Sequence, residues 1–103
     1  MVQINSMYVN GGQTVITLFV SDDNKIFYIV DDIQGISRRE VRLEKLLTAE
    51  LQQEVEAHAE KVWGSDENLY ILKVFIPISQ NLAQFILSCW HEVRLNEKHL
   101  FNK

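Results

Sequence analysis

Proline occurs once in this 103-residue chain, at position 77, cysteine once, at position 89, and glycine four times. A chain so poor in proline and glycine has no room for a flexible or polyproline linker. One cysteine cannot close an internal disulfide, which fits a reducing compartment. Long apolar runs are missing too: the longest, Val15 to Ser21, falls far short of the roughly 18 residues a bilayer span needs. The opening Met1-Val2-Gln3-Ile4-Asn5 has neither the basic start nor the apolar core of a secretory signal. A cytoplasmic location with no membrane partner is therefore expected.

Clustered positive charge is also scarce. The net charge is −4, and between Glu50 and Glu67 the acids Glu50, Glu54, Glu56, Glu60, Asp66 and Glu67 face Lys61 alone. The one basic cluster, Arg38, Arg39, Arg42 and Lys45, is diluted by Glu40 and Glu44. Tight binding to a phosphate backbone draws on counterion release by grouped Lys and Arg, so direct nucleic-acid binding is not expected.

What is present suits one small domain over residues 1–103. Apolar residues make up 47% and charged residues 23%, near the globular average, and the length is that of a single core. Val2–Val9, Thr14–Ser21 and Lys25–Val30 are rich in β-branched and aromatic residues. Asn10-Gly11-Gly12 and Ser21-Asp22-Asp23-Asn24 separate them with turn chemistry. Thr14–Val20 and Ile26–Val30 are apolar on both faces, as in strands covered on both sides. Residues 38–43 alternate as a half-exposed strand, although Ser37-Arg38-Arg39-Glu40 matches a helical capping box. A helix from there to Trp63 would run about 40 Å, too long for a domain of this size, so the segment is read as a strand.

Two helices follow from apolar periodicity. Thr48 is a good N-cap, Leu51, Val55 and Val62 form a stripe, and Trp63-Gly64 suits a helix end. A strand over Leu69–Ile76 precedes Pro77. In the last segment Asn81-Leu82-Ala83-Gln84 resembles a capping box, and Leu82, Phe85, Ile86, Cys89, Trp90 and Val93 recur on one face. The expected fold is α+β, a mainly antiparallel sheet of four to five strands with two amphipathic helices on one face, in the order β-β-β-(β)-α-β-α.

Each residue able to carry chemistry has a structural reading beside it. Cys89 lies mid-stripe, where burial raises a thiol pKa, and His91 projects about 200° away from it, so Cys89 is expected in the core rather than as a nucleophile. His58 falls within about 20° of Leu51 on the first helical stripe; it is either a half-buried histidine held by Glu54 one turn back or the edge of a ligand pocket. Asp22-Asp23 and Asp31-Asp32 lie about 26 Å apart along an extended strand and cannot share an ion. Read as a calcium loop, the segment from Asp22 has Phe27 and Ile33 where glycine and glutamate are needed. His58, His91 and His99 lack ligand spacing, and Gly11-Gly12 is no phosphate loop. No metal, cofactor or catalytic residue is expected.

Three functions remain. The first is a small non-catalytic accessory or interaction protein, expected as a homodimer that buries the uncovered sheet face, with Leu87 and Leu95 lying off the stripe of the last helix. The second is an acidic inhibitor or decoy of a basic protein, acting through Glu50, Glu54, Glu56 and Glu60. The third is a small ligand-binding domain or enzyme with a pocket near His58.

Overall fold

Alternating apolar residues and tight polar turns fold the first half of the chain into a meander. A computed structural model describes residues 2–61, 70–72 and 78–101, and the side chains among these except those of 58–61 and 70–72. Strands β1 (Val2–Val9), β2 (Thr14–Val20), β3 (Lys25–Asp32) and β4 (Arg38–Leu46) each run antiparallel to the next. Asn10 and Asn24 take φ of 54° and 63° in the first two turns, the left-handed region that asparagine tolerates better than most residues. Helix α1 (Ala49–His58), the short strands β5 (Ala59–Lys61) and β6 (Tyr70–Leu72), and helices α2 (Gln80–Asn96) and α3 (Lys98–Phe101) follow. The open sheet is ordered β4-β3-β2-β1-β6-β5, with β1 and β6 parallel. This is the expected α+β class.

Period-two alternation sends Ile16, Leu18 and Val20 of β2, and Ile26, Tyr28 and Val30 of β3, to one face. They form the main core with Val55 of α1 and Leu82, Cys89, Trp90 and Val93 of α2. Each large apolar side chain buried there contributes roughly 1.5–3 kcal/mol, so the stripe on α2 is what fastens that helix. Trp90 Nε1 donates to Asn5 Oδ1 at 2.8 Å, satisfying the one polar atom that the indole brings into the layer.

The opposite face holds a second buried cluster, Phe19, Phe27 and Ile29. Phe19 and Phe27 are directly opposed across β2 and β3, their rings stacked with centroids 5.2 Å apart. Burial on this face falls off toward the other end of the sheet, where Tyr8 is exposed. Phe19, Phe27 and Ile29 are thus buried within the chain, while Val15 on the same face is half-buried.

Three expectations on element boundaries change. Residues 38–46 are a strand, longer than the 38–43 read from alternation, and Ser37 caps nothing helical: its carbonyl accepts the Asp32 N–H at 3.0 Å and closes the β3–β4 turn. Thr48 caps α1 as expected, its Oγ1 accepting the Leu51 N–H at 3.2 Å, but the helix stops at His58 instead of running to Trp63. Leu51 and Val55 give its described part few core anchors, and the backbone of 59–61 finds a ladder partner in 70–72. Val62, Trp63, Gly64 and most of the Leu69–Ile76 strand lie outside the described residues. Finally, α2 is capped by Ser79, whose side chain accepts the Leu82 N–H, and not by Asn81, which lies inside the helix.

Candidate functional site

The helical layer ends where α2 gives way to α3, and a polar assembly fills that end. Glu97 lies four residues beyond Val93, so the periodicity that buries Val93 also turns Glu97 inward, and it is 2% exposed. Tyr28, on the helix-facing side of β3, donates its hydroxyl to Glu97 Oε2 at 2.7 Å. Arg39 Nη1 donates to the same oxygen at 3.0 Å, and Nη2 donates to Oε1. Arg39 reaches this face because it pairs with Val30; its neighbours Arg38 and Glu40 point the other way by strand parity. Burial pushes the Glu97 pKa up, but Arg39 and Tyr28 outweigh it and hold the carboxyl below its usual value. Burial, then the bond to Glu97, pushes the Tyr28 hydroxyl up to about 12. The three groups form a satisfied ionic staple between α2 and the sheet.

Beside the staple lies a cleft of about 240 Å³. Val30 and Leu100 provide its apolar lining, and Arg39 and His99 flank it. Asn10, Thr14, Asp32 and Ser37 complete it. The two turns that shape it are tied together by the Ile33 N–H donating to the Gln13 carbonyl at 3.0 Å. Asp32 Oδ1 accepts the Gln34 N–H at 2.9 Å. Asn10 Oδ1 is buried and, among the described residues, has no hydrogen-bond partner.

A different surface runs along the outer side of α2. Leu87 and Leu95 are 67% and 52% exposed, and His91, also exposed, lies between them at four-residue spacing. At the N-terminal end of this face Glu54 of α1 accepts from Ser79 through both its backbone N–H and its hydroxyl, with the exposed Glu50 one turn before it on α1. The C-terminal end is basic, with Arg94 over the Phe101 ring at 5.1 Å and Lys98 exposed.

The structure thus separates the residues singled out from sequence. Leu87 and Leu95 share one helix face; Glu50 and Glu56 are exposed on α1. Glu54 is bonded to Ser79, and its expected contact with His58 falls on a side chain outside the described residues. The side chains of His58 and Glu60 lie outside the described residues, and the backbone of His58 closes α1. The cleft lies at the sheet end marked by the β1–β2 and β3–β4 turns, whereas α1 sits at the opposite end, where Asn24 Nδ2 donates to Gln52 at 2.9 Å. Cys89 is fully buried, and burial pushes its thiol up to about 11. The aspartates serve turns and pairs: Ser21 donates to Asp23, and Arg38 lies 3.9 Å from Asp31. Among the described residues no group of three or more His, Cys, Asp or Glu could hold a metal, and no helix is long and apolar enough to cross a membrane.

Sequence reading missed the Tyr28–Arg39–Glu97 staple. An acid placed four residues after Val93 on an apolar stripe was the available signal. Comparison with known proteins finds no matching family model, curated protein or solved structure.

Proposed function

We propose that this chain is a small non-catalytic interaction protein that works as a homodimer, two copies docking α2 antiparallel to α2. The observation that carries this reading is the pair of exposed leucines, Leu87 and Leu95, set two turns apart on a face that is acidic at one end and basic at the other. A twofold axis through the middle of that face sets Leu87 of one protomer against Leu95 of its partner. It also sets the α1 carboxylates of each copy against Arg94 and Lys98 of the other. An isologous interface requires this kind of self-complementarity, and the charge arrangement favours the antiparallel orientation over the parallel one.

Two features favour a binding role over a catalytic one. The single thiol is fully buried and stays protonated at neutral pH, and the buried carboxylate is already paired with Arg39 and Tyr28. The acidic-decoy reading is weakened because Glu54 is spent within the chain.

Sedimentation equilibrium tests the proposal. A dimer is expected at micromolar concentration, with Leu87→Glu and Leu95→Glu each shifting it to monomer while leaving the far-UV circular dichroism unchanged. High salt should weaken the dimer by screening the charged ends. A parent protein that stays monomeric at high micromolar concentration would sink the reading.

A further inference from the structure

The centre of the exposed α2 face carries an inference that rests on the homodimer proposed above. His91 is exposed and lies midway between Leu87 and Leu95, four residues from each. An antiparallel docking that sets Leu87 of one copy against Leu95 of its partner sets position 91 against itself. The twofold axis then passes between the two His91 side chains. We propose that this symmetric pair makes the dimer proton-sensitive: it holds while the imidazoles are neutral and comes apart when both are charged.

The surroundings of His91 offer a charged ring nothing to pair with. One turn away in either direction lie Leu87, Ser88, Arg94 and Leu95; none is acidic, and Arg94 carries the same sign as a histidinium. The Ser88 hydroxyl is engaged already, donating to the Phe85 carbonyl and accepting from Lys45 Nζ, each at 2.8 Å. Glu92 is adjacent in sequence, but it projects about 100° away and lies 3.5 Å from Lys45 of β4. Across the axis the same pairing brings Arg94 of each copy against Ser88 of the other, and Lys98 against Gln84. The α1 carboxylates Glu50 and Glu54 belong to the N-terminal end of the face, where Glu54 is bonded to Ser79. His99 belongs to the other end, in the lining of the cleft. Two histidinium rings at the axis therefore meet each other and two arginines. Leu87 and Leu95 of both copies exclude water on either side, which strengthens the repulsion. Histidine is the side chain that gains charge between pH 8 and 5, above the range in which glutamate ordinarily titrates. Because the dimer binds these protons less readily than the separate copies do, acid favours the monomer.

Sedimentation equilibrium at about pH 8 and about pH 5.5, at one ionic strength, tests this. The dissociation constant of the parent dimer should rise by about tenfold or more on acidification, the change that one unit of pKa difference produces. His91→Gln, neutral at both values, should dimerise at both and lose that response. His91→Lys, charged at both, should dimerise weakly at both. His99→Gln should respond as the parent does, since that histidine lies away from the axis. A parent dimer equally tight at the two pH values, or tighter in acid, overturns the proposal and leaves the dimer standing. So does a response that survives in His91→Gln, or a His91→Lys dimer as tight as the parent at the higher pH. A parent that is monomeric at the higher pH as well sinks the dimer and this inference together.

Discussion

Glu54 of α1 accepts the backbone N–H of Ser79 at 2.6 Å and its hydroxyl as well, so an acid of one helix completes the cap of another. In a local capping box the third residue of the helix does this. Here that residue is Leu82, which is buried and donates its own N–H to Ser79 Oγ at 3.1 Å. Ser79→Ala should lower stability by about 1 kcal/mol, measured by urea unfolding. Glu54→Gln should also destabilise, and the double variant should lose less than the sum, with a coupling of about 0.5 kcal/mol or more. Strict additivity would show that the two residues act separately.

Acid should loosen the end of α2. The Glu97 carboxyl is held below its usual value in the folded chain, so the stability it contributes is complete above the unfolded pKa of about 4.3. That contribution is lost as pH falls through the lower folded value. Arg39→Ala removes the main group that offsets burial, so acid unfolding should begin at a higher pH than in the parent. Tryptophan emission followed from pH 7 to 2 checks this, and an unchanged midpoint would remove Arg39 from the account.

At the alkaline end the responsible group is Tyr28. Its pKa is raised to about 12, so the stability it gives is complete below the ordinary tyrosine value near 10 and fades between about 10 and 12. A phenolate titration at 295 nm should show a late step close to 12 that disappears in Tyr28→Phe. That variant should cost about 1 kcal/mol at neutral pH, because Glu97 loses one donor.

Cys89 should resist thiol reagents in the native state and react at once on unfolding, since only the thiolate attacks and burial pushes its thiol up to about 11. Cys89→Ser should destabilise by about 1–3 kcal/mol, because a hydroxyl would replace the thiol in the apolar layer. Fast labelling of the folded protein would contradict its place in the core.

The meander was legible because turn residues and alternation agree: Asn10-Gly11-Gly12 and Ser21–Asn24 fall where the chain reverses. The staple was not, because its members come from three separate elements. Alternation sets Arg39 on the face of Val41 and Leu43, but nothing local announces that Glu97, 58 positions later, meets it there. Ser79 and Asn81 are both good caps by type, and what separates them is the reach of Glu54, 25 residues earlier. The early end of α1 was hidden for a similar reason, since residues 59–61 read as helix until a strand at 70–72 is there to pair with them. The cleft draws on β2, β3, β4, α3 and the β1–β2 turn, and no single stretch of sequence announces it.

The order of the sheet also bears on synthesis. The meander is complete once Leu46 has been made, yet the contacts that cover its helix-facing side come from much later in the chain. Trp90 meets Asn5 across 85 positions, and Glu97 meets Tyr28 across 69. A nascent chain therefore carries a ready sheet whose core side stays wet until α2 emerges, the state in which chains of this kind cling to one another or to chaperones. Slowing translation ahead of Gln80 would prolong that exposure.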